Sequence, residues 1–138
     1  MAKAISKIME VIFDIITVFA IAMLLSLGIT KLATGTGSFF GYRPMYVMSA
    51  SMEPTLMTGD FVLGRVADRD DIEIGGIYTY HAKDKNEMIV HRVYGETPDG
   101  KYIFWGDNNE APDSIAVDAK DIAFEVIWYP NKNSRVHI

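Results

Sequence analysis

One membrane-spanning helix followed by a small, mainly antiparallel β domain is the architecture this sequence predicts, and three observations predict it. Apolar residues are concentrated near the N-terminus, where residues 11–29 (VIFDIITVFAIAMLLSLGI) carry a single charge, Asp14. Beyond Lys31 the chain consists of short runs rich in Val, Ile, Tyr and Phe, separated by Gly, Asp, Asn and Pro clusters. No helical period longer than a turn or two survives in that half. At 138 residues, 49% apolar and 22% charged, the chain suffices for one domain plus one further element and is too apolar for disorder. Its net charge of -5 offers no basic stripe for phosphates, so no nucleic-acid partner is expected. With no cysteine, neither a disulfide framework nor a thiolate metal site is available.

Taken in order, the first element is an anchor over about residues 11–30, inside an N-terminal segment spanning 1–32. Apolar runs of about eighteen or more residues are long enough to cross a bilayer as a helix. A cleaved secretory signal has a shorter core, roughly 7–15 residues, and LATGTGS is only a loose match to its exit site. Lys3 and Lys7 precede the run and Lys31 and Arg43 follow it, so charge bias sets the orientation weakly. Residues 33–43 read as a Gly/Thr/Ser linker ending in aromatic residues, and 44–138 as the β domain. Strands are expected over 45–48, 61–65, 77–81, 88–94, 102–105 and 122–128. Phe39, Phe40, Tyr42, Leu56 and Met57 are candidates either for the membrane interface or for capping the β core.

Chemistry is concentrated in three segments. The first is Ser49-Ala50-Ser51-Met52-Glu53-Pro54-Thr55-Leu56, followed by Gly59-Asp60. Pro54 fixes its own φ and biases Glu53 away from the helical region, which sets a defined turn just after Ser51. The second is Ile89-Val90-His91-Arg92-Val93-Tyr94, whose alternation puts Ile89, His91 and Val93 on one face of a strand. A lone histidine there is more often a core residue, although histidine is also the side chain whose ordinary pKa suits a base for a serine hydroxyl near neutrality. His81 and His137 lack such a context, and Lys83 and Lys85 fall in a charged turn. The third runs from Gly106-Asp107-Asn108-Asn109 to Asp113-Ser114, directly after a strand. An acceptor on the base's far nitrogen fixes its tautomer, and Asp113 and Asp107 are both available. An EF-hand is excluded, because its fifth and sixth positions would be Ala111 and Pro112. No H-E-x-x-H helix is present either, and no cofactor or metal is expected.

S-x-S-M-x-P-T-L with the trailing Gly-Asp resembles the serine box of type I signal peptidases (S26). I-V-H-R resembles the position where the bacterial branch carries a lysine and the archaeal and endoplasmic-reticulum branch carries histidine. G-D-N with an aspartate six residues on resembles the acidic box of the same family. The resemblance covers roughly residues 45–115, with Ala50 where glycine is usual, and implies a β catalytic domain of signal-peptidase type. It implies Ser51 as nucleophile, His91 as general base, and Asp113 as the third member with Asp107 as the alternative. Ser49 and the Ser51 N–H would hold the oxyanion, and Met45, Val47, Met48 and Ala50 would bind substrate. The activity implied is removal of N-terminal signal peptides from secreted pre-proteins after small-x-small sites. The partners implied are those signal peptides, the lipid bilayer, and a translocon or accessory subunits. The site implied is the cell membrane or endoplasmic reticulum membrane, single-pass, with the catalytic domain on the non-cytoplasmic face. Two other classes are weighed against it: a non-catalytic membrane-anchored peptide-binding relative, and a pilin-like structural subunit.

Overall fold

A computed structural model describes residues 1–34 and 37–130, and within it the chain divides into two compact units, residues 1–41 and residue 42 onward. The first unit is built on helix α1, Ala2–Thr34. Its segment Ala2–Ala33 has a mean hydropathy of 2.4 and is long and apolar enough to cross a membrane. The helix begins well before the apolar run because residues 2–10 (AKAISKIME) contain no Gly or Pro to stop it. Ser26 and Thr30 on its last turns reach the segment after it: the Phe40 N–H donates to Ser26 Oγ (2.7 Å), and Thr30 Oγ1 donates to the Ser38 carbonyl (2.8 Å).

The second unit is a six-stranded sheet in the order β1-β2-β6-β3-β4-β5. The strands are β1 Tyr42–Tyr46, β2 Phe61–Val66, β3 Ile77–Ala82, β4 Glu87–Glu96, β5 Tyr102–Trp105 and β6 Ile122–Trp128. Every neighbouring pair is antiparallel. The expected β architecture is therefore present. β1 differs from the expected 45–48 at both ends, starting at Tyr42 and ending at Tyr46, with Pro44 inside it. At the sheet's edge a missing N–H costs no ladder bond, so the strand runs through the proline.

Apolar side chains form two clusters. One holds Tyr78, Tyr80, Val93, Phe104 and Ile122; the other holds Val47, Met52, Leu56, Val62, Ile77 and Val126. Alternation along β3 sends Tyr78 and Tyr80 to the first and Ile77 to the second. On β6, Ile122 and Val126 are an even number of residues apart yet serve different clusters. The register shift between Thr79 and Tyr80 accounts for this, since one extra residue reverses every side chain beyond it. Leu56 is fully buried, which removes it from any membrane interface; Phe40, Tyr42 and Met57 are exposed. The Leu56 N–H donates to the Met52 carbonyl (2.9 Å), and that turn folds both side chains into the second cluster.

Candidate active site

Three chain segments distant in sequence meet at one place. The serine segment connects β1 to β2 and is tied at both ends. The Val47 N–H donates to the Asp60 carbonyl and the Gly59 N–H to the Val47 carbonyl, both at 2.9 Å. Gly59 has φ +94°, a conformation that favours glycine, and this closes the loop. Glu53 takes φ -66°, ψ 144°, the extended region that a following proline favours. Ser51 thus lies in a single 3-10 turn, Ala50–Met52, anchored below by the fully buried Met52.

His91 stands in the middle of β4 and is 6% exposed. Its Nδ1 lies 2.7 Å from Asp113 Oδ2. The Asp113 N–H donates to the Phe104 carbonyl (2.8 Å), so the aspartate is held against β5. The same Oδ2 accepts a hydrogen bond from the Tyr80 hydroxyl at 2.7 Å. Burial raises the Tyr80 phenol well above its ordinary value, and the bond to Asp113 and its negative charge raise it further. The hydroxyl therefore stays protonated and acts as a donor at any working pH.

The acidic loop closes over the serine turn. The Asn108 N–H donates to the Ser51 carbonyl (2.9 Å), and Asn108 Nδ2 donates to the Ala50 carbonyl (3.0 Å). Gly106 sits between the serine turn and His91. A Cβ at this position would lie 2.7 Å from Ser51 O and 2.9 Å from His91 Nε2. The imidazole face opposite Asp113 is therefore beside the serine turn. Ser51 Oγ is 3.2 Å from Ser49 Oγ. Among the described residues no hydrogen bond joins Ser51 Oγ to His91.

Asp107 faces elsewhere. Arg92 Nε and Nη2 donate to its two oxygens at 2.9 and 2.7 Å, and Thr55 Oγ1 donates to Oδ2 at 2.6 Å. Burial pushes the Asp107 carboxyl up, but the hydrogen bonds from Arg92 and Thr55 and the Arg92 charge outweigh it and hold the group below the usual carboxylate range. Arg92 also donates to the Gly75 carbonyl (2.7 Å), which braces β4.

Met45, Val47 and Met48 line a cavity of about 410 Å³ together with Val62 and Val90; Ala50 lies outside that lining. His81 is exposed, Lys83 pairs with Asp121 at 2.8 Å, Lys85 is exposed, and His137 lies outside the described residues. Sequence reasoning missed Tyr80, Arg92, Thr55 and the steric role of Gly106. One signal was available: an inward-facing tyrosine on a buried strand needs a partner for its hydroxyl.

No protein-family model matches the chain. The chain is 32% identical over 126 residues to signal peptidase I W of Bacillus subtilis, a match covering 87% of this chain and 63% of that protein. It is 35% identical over 96 residues to the signal peptidase complex catalytic subunit SEC11 of Chaetomium globosum, covering 60% of this chain and 55% of the relative. The SEC11 subunit of Pyricularia oryzae is 34% identical over 94 residues, with the same coverage. The chain thus spans between 55% and 63% of the length of these curated relatives.

Proposed function

We propose that the chain is a member of the signal peptidase family, as its similarity to signal peptidase I W and the SEC11 subunits supports, and that it is a membrane-anchored serine endopeptidase of the histidine branch. It removes signal peptides from secreted pre-proteins after small-x-small sites. The observation that carries this reading is the histidine with one ring nitrogen on Asp113 and the other beside the serine turn. Asp113 holds the tautomer with the proton on Nδ1 and leaves Nε2 free to accept. His91 takes the Ser51 proton as Ser51 Oγ attacks the scissile carbonyl. The Ser51 N–H and the Ser49 hydroxyl stabilise the oxyanion. His91 then gives the proton to the leaving amine, and water releases the acyl-enzyme. Asp107 acts as a brace, tying the acidic loop to Arg92 and Thr55.

β1 is an edge strand, so an extended substrate can add alongside it and turn alternate side chains to one face. The residues one and three places before the cut then enter the cavity lined by Met45, Val47 and Met48. Helix α1 anchors the chain in the cell membrane or endoplasmic reticulum membrane as a single pass, with the sheet on the non-cytoplasmic face. Since several relatives are named as catalytic subunits of a complex, accessory subunits are expected partners.

Cleavage of a model pre-protein in liposomes tests the reading. The parent chain should cut after the small-x-small site, and Ser51→Ala and His91→Ala should abolish cutting. Asp113→Ala should cost about a thousandfold or more in kcat, and Asp107→Ala far less. Undiminished cleavage by Ser51→Ala would refute the mechanism.

A further inference from the structure

The geometry points to Tyr80 as a positioning residue for the catalytic histidine, acting through Asp113: its hydroxyl fixes the carboxylate oxygen that faces His91 and shares that oxygen's negative charge. The inference rests on the serine–histidine reading above.

A single oxygen, Asp113 Oδ2, lies 2.7 Å from both His91 Nδ1 and the Tyr80 hydroxyl. Tyr80 comes from β3 and His91 from the adjacent β4, while Asp113 arrives from the loop after β5. The tyrosine is 5% exposed. Its ring packs on Phe104 with centroids 4.5 Å apart and meets the His91 ring edge-on at 6.5 Å. Its hydroxyl is therefore aimed by packing and cannot swing to solvent without emptying a core position. The backbone of Asp113 is fixed to Phe104, the residue that supports the tyrosine ring.

A carboxylate beside an imidazole favours the imidazolium, and the effect weakens as other donors take up the carboxylate's charge. With Tyr80 in place, Asp113 holds His91 in its working orientation while sharing its charge with the hydroxyl, so it favours the imidazolium less than an unshared carboxylate would. The other groups around the ring do not serve this purpose. Asp107 is turned onto Arg92 and Thr55, and the Ser51 hydroxyl meets Ser49. A cavity of about 360 Å³ on the Asp113 side brings in Lys83, paired with Asp121, and Asp84, Lys85, Lys101 and Asp118. His81 also lines that cavity, from an exposed position, and Asp84 and Glu87 add only weaker repulsion at the Tyr80 hydroxyl.

Tyr80→Phe removes the hydroxyl and keeps the ring. NMR titration of the His91 imidazole, on the anchored chain in detergent, should move upward by about half a unit or more in the variant. The acid limb of kcat/KM against pH should move the same way. kcat should fall severalfold to about tenfold, with KM changed by less than about twofold. In an Asp113→Asn background, Tyr80→Phe should produce no further shift, because the hydroxyl then has no charged oxygen to act through. Should Tyr80→Phe fail to fold, 3-fluorotyrosine at position 80 keeps the ring and strengthens the donor, and the titration should move downward. A His91 titration that does not move, or moves opposite to these directions, overturns the proposal. The titration needs no turnover, so a chain that binds but does not cut would refute the peptidase reading and still test the role of Tyr80.

Discussion

Gly106→Ala should damage catalysis far more than stability, and the reason is steric. Gly106 lies outside the positive-φ region, so alanine meets no backbone obstacle there, and the effect must come from the added methyl. That carbon would lie 2.7 Å from Ser51 O, 2.7 Å from Asn109 Nδ2 and 2.9 Å from His91 Nε2, closer than real Cβ atoms approach such neighbours. Asn109 can give way, since its amide ends a flexible side chain. Ser51 O is backbone, held by the Asn108 N–H at 2.9 Å, and His91 is held by Asp113 at 2.7 Å. Restoring ordinary contact at 3.4 Å demands movements of about 0.7 Å at Ser51 O and about 0.5 Å at His91 Nε2.

Misplacing catalytic groups by about 1 Å costs on the order of a hundredfold, so kcat should fall by roughly ten- to a hundredfold. KM should hardly change, because the cavity lined by Met45, Val47 and Met48 does not include position 106. Overpacking costs about 1–3 kcal/mol, and about 0.4–1 kcal/mol is recovered from the reduced entropy of the unfolded chain. The net loss of stability should therefore stay below about 2.6 kcal/mol. Steady-state cleavage in liposomes and thermal unfolding in detergent measure the two quantities separately. Parental kcat in a folded Gly106→Ala variant would show that the crowding around Gly106 has no catalytic consequence.

Two further outcomes are expected. Asp107 has its carboxyl held low in the folded state, so it contributes stability above its unfolded value, about 3.9, that is lost as pH falls through the lower folded value. Arg92→Ala should remove that acid dependence and destabilise the domain by about 1–3 kcal/mol near neutral pH, read from unfolding midpoints between pH 2 and 7; an unchanged pH profile would contradict the pairing. Val47→Trp or Met45→Trp should fill the cavity they line with Met48 and lower kcat/KM for small-residue sites by tenfold or more, and unaltered kinetics would remove that cavity from the reaction.

Much of the fold was legible because its strands are short, rich in β-formers and bounded by turn residues. β5 and β6 lie over the residues expected, and β2 and β3 each run one residue further. β4 reaches Glu96 because the irregular pairing between Val93 and Gly95 lets the strand absorb a glycine that reads as a stop in the sequence. Strand order was not legible. β6 lies between β2 and β3, and no local pattern records which strands pair at long range. Leu56 stayed open between interface and core for the same reason: whether an apolar side chain beside a proline turn points inward depends on Met52 and Val62, which join its cluster only in the folded sheet. Ser51, His91 and the acidic loop were legible as residue types in a recognisable order. Tyr80 was not, because its role depends on the juxtaposition of β3, β4 and the loop after β5.

The division of labour between the two aspartates follows from the pleat. His91 and Arg92 are consecutive on β4, so their side chains leave the strand on opposite faces. The acidic loop supplies one carboxylate to each: Asp113 to the imidazole and Asp107 to the guanidinium. Were both carboxylates aimed at the ring, their summed charge would favour the imidazolium and leave little free base near neutral pH. A guanidinium stays charged at any working pH, so Arg92 keeps Asp107 neutralised whatever the state of the histidine. Exchanging the order of His91 and Arg92 should therefore abolish activity even though composition and net charge are unchanged. The imidazole would then face Asp107 and Thr55, and the guanidinium would face Asp113 and the Tyr80 hydroxyl, so no free base would stand beside Ser51; cleavage of a model pre-protein in liposomes checks this.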